Sequence, residues 1–302
     1  MLHSLALLRD QIEMARAMSF LVNAFPASER SAYLETLSRM VALPNASTAL
    51  LVLEATLETQ RTGVALAQLL AGRAAFIWPI LAVDDDLSAQ LLNELLAELE
   101  RRGVLVAQAL LTLEHAAEAR LFQSAGFIAG GELIYMSADE ELFQSQPPSG
   151  ELEFPIVAPD DAELARIVAA TYQGSLDCPL VDGWREVSDV LAGYRATGTF
   201  RPDLWRLIRS QGETVGCLVL SDFPENNQGE LTYLGIDPSC RGRGLGLAGT
   251  QWALHLAAQI GWSQLLLAVD AHNGPARRIY RAAGFTEIAL RRLLVRRLQE
   301  KA

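Results

Sequence analysis

The chain of 302 residues is poor in cysteine, with Cys178, Cys217 and Cys240 alone. Three cysteines and no Cys-x-x-Cys pair exclude a disulfide framework and a cysteine zinc site, and fit a reducing cytoplasm. Positive charge is also short, at 25 Lys+Arg against 36 Asp+Glu, a net charge of -11. That balance argues against nucleic acid as a partner. No apolar run is long enough for a membrane span: residues 64–83 are broken by Gln68, Gly72 and Arg73 and read as two strands. Leu5-Ala6-Leu7-Leu8 runs straight into Arg9-Asp10, too short an apolar core for a signal peptide. His255 and His272 lack partners at metal-ligand spacing, so no metal is expected.

Half the residues are apolar, enough for a folded core. The length predicts two domains, 1–143 and 151–302, joined by the Pro- and Ser-containing linker 144–150. Either side of that linker, strands and helices follow in the same order. An offset of 158 lays residues 121–127 (LFQSAGF) on 279–285 (IYRAAGF), and Gly103 on Gly261. The halves therefore read as tandem copies of one fold. The acid excess is uneven, with -9 in 1–150 and -2 in 151–302.

The C-terminal half holds the most informative stretch. A strand-like run, 231–236, leads through Pro238 into Arg241-Gly242-Arg243-Gly244-Leu245-Gly246, and a helix-like run follows to Ile260. Glycines let backbone N–H groups converge on an anion, and a helix N-terminus adds unpaired N–H groups and a positive dipole end. The order Arg-x-x-Gly-x-Gly is not the Gly-x-Gly-x-x-Gly of dinucleotide-binding folds. The Gly-Lys-Ser/Thr of a nucleotide-triphosphate loop is absent too. Downstream, a buried strand to Asp270 is followed by Asn273 and a short helix that ends before Gly284-Phe285.

Ile236-x-Pro238 followed by Arg241-x-x-Gly244-x-Gly246 resembles the pyrophosphate-binding signature of the GNAT superfamily of acyl-CoA-dependent N-acyltransferases. Residues 273–285 resemble that family's second cofactor segment. The resemblance covers about 230–298 closely and 151–229 by element order. It implies an α/β fold of α+β type: two tandem GNAT-like domains, each a mostly antiparallel mixed sheet flanked by helices. It also implies acetyl-CoA as co-substrate and a primary amine as acceptor, most simply a small molecule, with a peptide or protein amine as the alternative. The pantetheine arm would lie along Leu234 to Ile236, with an N–H near Leu234 facing the thioester oxygen. The pyrophosphate would rest on the N–H groups of Arg241, Gly242, Arg243, Gly244, Leu245 and Gly246. Asn273 and Ala276 would meet the cofactor arm.

For catalysis, Tyr280 is the candidate general acid, since a phenol is neutral at pH 7 and can protonate a leaving thiolate. Glu230, at the start of the strand, is the candidate general base; Asp222, Glu225 and ordered water are alternatives. Arg277, Arg278 and Arg281 could meet a 3′-phosphate. Asp177, Asp182 and Glu225 would suit a cationic amine. In the N-terminal half the 158 offset places Asp84-Asp85-Asp86 on the glycine loop, Phe122 on Tyr280 and His115 on Asn273. That copy is expected to lack an acyl-CoA site and to serve as structural support. A non-catalytic acyl-CoA-binding protein remains the rival from another class.

Overall fold

The computed structural model describes residues 3–27, 29–148 and 150–299. The backbone forms two units, one of residues 1–130 with 292–302, the other of 131–291. The first unit contains β1 (Ser4–Leu8), α1 (Gln11–Leu21), α2 (Arg30–Ala42), the single turn α3 (Ala46–Ala49), β2 (Leu50–Leu57) and β3 (Gln60–Leu70). It continues with β4 (Ala74–Ile77), β5 (Leu81–Ala82), α4 (Asp85–Arg101), β6 (Val106–Leu111) and α5 (Ala116–Ser124). Its sheet runs β1-β2-β3-β4-β6, antiparallel except at β4–β6. The helix α4 forms because Asp84 caps it, accepting the Leu87 N–H at 2.8 Å, and because Leu87, Leu91, Leu92, Leu95, Leu96 and Leu99 repeat at three- and four-residue spacing. All six are buried, each worth roughly 1.5–3 kcal/mol of apolar burial.

The chain enters the second unit along β7 (Ile128–Asp139). There follow β8 (Leu152–Glu153), α6 (Ala162–Tyr172), α7 (Val187–Arg195), β9 (Trp205–Ser210), β10 (Glu213–Phe223), β11 (Gln228–Ile236), α8 (Leu245–Ile260), β12 (Gln264–Asp270), α9 (Gly274–Ala282) and β13 (Thr286–Arg297). The sheet order is β7-β12-β11-β10-β9-β8, and β11–β12 is its parallel pair. α6 and α7 pack on one face and α8 on the other. The mixed, mostly antiparallel architecture expected from the sequence is present in both units.

The units part at Gly130/Gly131 and Arg291/Arg292, not at residues 144–150; of that stretch Ser149 lies outside the described residues. Hydrogen-bond ladders explain the difference. Residues 133–139 of β7 pair with β12 in the second unit, and residues 292–297 of β13 pair with β6 in the first. Ile134, Met136 and Ala138 accordingly join the second unit's core, and Leu294 the first's. The last strand of each sequence half thus completes the sheet of the other half.

Two local expectations also differ. Ser4–Leu8, read only as a failed signal peptide, is an edge strand on β2. The second of the two strands expected within 64–83 is itself broken between Ile77 and Leu81, where Pro79 cannot donate a ladder hydrogen bond.

Candidate active site

The parallel ladder between β11 and β12 is short. It pairs Gln228, Glu230 and the intervening Gly229 with residues 264–266 and ends there. Beyond Glu230 the two strands have no further register with each other among the described residues. Residues 231–236 therefore keep a backbone edge facing away from β10 that no strand among the described residues occupies. A bulge sharpens the divergence: Leu220 pairs with Leu231 and Val219 with Tyr233, leaving Thr232 as the extra residue. Leu234 and Ile236, both half-buried, lie on this segment, opposite Leu218 and Gly216.

The segment runs directly into the glycine loop. A turn at Pro238–Cys240 is pinned by the Asp237 carboxylate, which accepts the Ser239 N–H at 2.9 Å. Gly242 and Gly244 follow at φ of 75° and 79°, a left-handed backbone costly to residues with a Cβ. A Cβ at either would meet nothing within 4 Å, so these glycines answer to backbone shape and leave open space before the loop. Gly244 caps α8 without a side chain, and the N–H groups of Gly244, Leu245, Gly246 and Leu247 donate to no acceptor among the described residues. Unpaired N–H groups at the head of a 16-residue helix form an anion cradle.

Arg241 itself is turned inward. Its guanidinium donates to Thr171 O at 2.7 Å, Gly174 O at 3.0 Å and Ile236 O at 3.1 Å. Its side chain is a strut that holds the loop against the end of α6, where carbonyl groups favour a cation. Arg243 makes one weak contact, to the Cys240 sulfur at 3.9 Å.

α9 lies beside this loop, with the Ile279 methyl 3.0 Å from where a Gly246 Cβ would stand. Asn273 caps α9: its side-chain oxygen accepts the Ala276 N–H at 3.2 Å, so that N–H is already satisfied. Two turns along, Tyr280 is 9% exposed, and its hydroxyl has no hydrogen-bond partner among the described residues. Burial, with the nearby Asp177 charge, raises its pKa above that of an ordinary phenol and keeps it protonated. Arg277 and Arg281 are occupied by Glu287 at 3.2 and 2.5 Å, whereas Arg278 is exposed and has no ion pair among the described residues.

Glu230 is half-buried where β11 and β12 diverge, without an ion pair among the described residues. Burial raises its pKa, only partly opposed by the Thr232 hydroxyl. Asp222 is otherwise engaged, accepting Trp262 Nε1–H at 2.8 Å with Arg201 at 3.5 Å; Glu225 is exposed. Asp177 accepts the Asp270 N–H at 2.7 Å. Although Asp177 keeps an exposed edge, the protein around its carboxylate and the Asp270 charge raise its pKa.

Sequence reasoning passed over the residues on the α6 and α7 face. Tyr172 and Tyr194 share a 2.7 Å hydrogen bond, and Tyr233 on β11 lies 2.7 Å from the Thr171 hydroxyl. The available signal was that half of the six tyrosines fall on the splayed strand β11 and on α6 and α7.

The model of the acetyltransferase (GNAT) family matches residues 168–285. The second unit contains a GNAT acetyltransferase domain. Curated relatives include the mycothiol acetyltransferase of Nocardioides sp., 30% identical over 57% of this chain and 63% of that protein. That of Beutenbergia cavernae is 37% identical over 30% of this chain and 31% of that protein. The matches thus span less than two thirds of these relatives' length. Among solved structures, a GCN5-related N-acetyltransferase from Sphaerobacter thermophilus superposes with a TM-score of 0.66 at 17% identity, covering 99% of this chain and 97% of that one. A tandem GNAT protein from the clavulanic acid biosynthesis pathway covers all of both chains with a TM-score of 0.55 at 12% identity. At such identities these structures establish the fold alone.

Proposed function

We propose that the second unit transfers an acetyl group from acetyl-CoA to the primary amine of a small molecule, and that the first unit is a structural copy. The observation that carries this reading is the continuity of the unpaired 231–236 edge with the open N–H cradle at Gly244 to Leu247. A pantetheine arm needs amide partners along one line, and a pyrophosphate needs an anion site at its end. The cradle geometry fits: left-handed glycines, free N–H groups and no Cβ in front of them.

In this mechanism the Leu234 N–H polarises the thioester oxygen, an oxyanion-type contact. Glu230, its carboxylate stabilised in the protonated form by burial, receives the proton of the attacking amine directly or through water. Tyr280 donates its proton to the departing thiolate. The relatives named for mycothiol acetylation favour a small-molecule acceptor over a protein amine.

Calorimetric titration of acetyl-CoA into the wild type and into Gly244→Glu tests the reading. Glutamate there strains a left-handed position and places a negative charge before the cradle. One site in the wild type, weakened at least about 100-fold in the variant, is expected from loss of charge-assisted hydrogen bonds. Two sites would restore the first unit as a ligand-binding copy. Binding without acetyl transfer to any of a broad amine panel would leave an acyl-CoA-binding protein.

A further inference from the structure

The tyrosine group behind β11 has a hydrogen-bond account that does not close. Thr171 has one hydroxyl proton, and it goes to Val168 O at 2.8 Å. The 2.7 Å bond between Thr171 and Tyr233 must then use the proton of Tyr233. The Tyr233 oxygen keeps lone pairs to offer. In the 2.7 Å pair of Tyr172 and Tyr194, one proton is shared and the other hydroxyl proton has no assigned acceptor among the described residues. The group thus presents one spare O–H donor and spare oxygen acceptors.

The rings hold these atoms together. Tyr233 stacks against Tyr172 at 5.8 Å and against Tyr194 at 5.1 Å, with interplanar angles of 26° and 25°. All three are half-buried, so they retain an accessible edge. A Cβ at Gly235 would stand 2.6 Å from the Thr171 oxygen and 2.9 Å from the Tyr233 oxygen, so the strand makes room for this pair. Tyr233 immediately precedes Leu234, the residue placed against the thioester. The Asp177 charge bears on Tyr172, Tyr233 and Tyr280 alike, which ties the group to the reacting end of the site. Neutral phenol hydroxyls supply no counter-charge, so they suit an uncharged hydrogen-bonding group better than an ionised one.

We infer that Tyr172, Tyr194 and Tyr233 form the acceptor subsite and read an uncharged hydrogen-bonding group, a hydroxyl or an amide, carried by the acceptor amine. The inference rests on the acetyltransferase reading. It makes the three tyrosines specificity-determining residues, separate from the proton donor Tyr280 and the base Glu230.

The test is kcat/KM for two matched amine pairs, 2-aminoethanol against propylamine and L-alaninamide against sec-butylamine. The enzymes are the wild type, Tyr172→Phe, Tyr194→Phe and Tyr233→Phe. Each ratio within a pair cancels damage common to both amines. A lost neutral hydrogen bond corresponds to about two- to tenfold. The wild type is expected to prefer the hydroxyl or the amide member. Each variant should reduce that preference by about two- to tenfold while KM for acetyl-CoA stays unchanged. The pair that responds identifies the group read. Equal ratios in wild type and variants, with turnover intact, overturn this inference alone. Absence of turnover by the wild type with every amine overturns the acetyltransferase reading and this inference with it. Because a merely structural tyrosine lowers Tm without moving the ratios, thermal unfolding of each variant accompanies the kinetics.

Discussion

The two units are copies in element order, yet they differ most where a cofactor would bind. In the second unit, residues 237–244, eight positions, separate β11 from α8; in the first, residues 83–84, two positions, separate β5 from α4. The first copy lacks the room for a phosphate loop, and Asp84 to Asp86 form the cap and first turn of its helix instead. The faces beyond differ as well. β3 and β10 align with an offset of 153, which lays Leu66 on Val219. Trp78, whose N–H donates to Leu66 O at 3.0 Å, then takes the place of Tyr233, which pairs with Val219. Around Trp78 the first unit seals an apolar stack, with Phe25 on Tyr33 at 3.8 Å and Phe76 edge-on to Trp78 at 5.3 Å. One copy packs two phenylalanines and a tryptophan with the single Tyr33, where the other sets three tyrosines together. The pair teaches that the sheet and its core persist in both copies, while the turn before the helix and the polarity of one face diverge.

The largest effect is expected from separating the copies at the stretch that looks like a linker. A fragment of residues 151–302 lacks β7, which pairs with β12 over seven registered positions from Leu133 to Asp139. It would leave β12 as an unpaired edge and lose Ile134, Met136 and Ala138 from its core. Expressed alone it should show no cooperative thermal unfolding by circular dichroism; co-expressed with 1–150 it should recover a transition. A stable, cooperative 151–302 would show that the halves are independent after all.

Next comes the pair Tyr280 and Phe122. Tyr280→Phe should lower kcat by roughly 10²–10⁴ with little change in acetyl-CoA affinity. Phe122→Tyr should confer no activity on the first unit. It should instead lower stability by about 1–3 kcal/mol, because it places a hydroxyl at a fully buried site with Phe127 edge-on at 5.0 Å. Unchanged kcat in Tyr280→Phe, measured at saturating acetyl-CoA, would remove Tyr280 from the mechanism.

Much of this comparison was legible in the sequence, and the limits have physical causes. The cradle is a local signal: strand, proline, left-handed glycines and helix follow in one stretch, so residues 236–246 reveal it unaided. The Phe122–Tyr280 match survives because no insertion separates it from the shared Ala-Gly-Phe. The offset of 158 holds from α5 onto α9 but fails at the start of α4, where the cap Asp84 corresponds to the cap Gly244 and not to Gly242. Strand exchange leaves no trace in a single sequence, since β7 and β13 carry the same alternation whichever sheet they join. Motif position assigns Arg241 to the cofactor through its backbone N–H and leaves its side chain unplaced. Whether an arginine reaches outward or satisfies the Thr171 and Gly174 carbonyls depends on a loop 67 residues away in sequence. The tyrosine group was missed for the same reason, being assembled from α6, α7 and β11.

A smaller effect should separate Glu230 from its neighbours. Its folded pKa is raised by burial, so the charged form is disfavoured in the native state. The stability linked to this group is therefore present below the ordinary carboxylate pKa and falls as pH rises through the raised value. Activity runs the opposite way, because a base must be deprotonated. kcat/KM should rise through an acid limb lying above the ordinary glutamate pKa of 4.5, and Glu230→Gln should abolish that limb and reduce the rate by about 10²-fold or more. An unaltered acid limb in Glu230→Gln would assign it to another group or to the amine itself.

The smallest expected effect concerns Asp84, and it tests the proposal that the first unit binds no acetyl-CoA. If carboxylates on a surviving phosphate site were the cause, Asp84→Ala combined with Asp85→Ala and Asp86→Ala would unmask acetyl-CoA binding. The structure gives a different cause: the connection from β5 to α4 is two residues long, and Asp84 serves as the cap through its 2.8 Å bond to the Leu87 N–H. Asp84→Ala should therefore cost about 0.5–2 kcal/mol of stability in urea unfolding, and the triple variant should still bind a single acetyl-CoA by calorimetry. A second binding site in the triple variant would mean that charge, and not the missing turn, had silenced this copy.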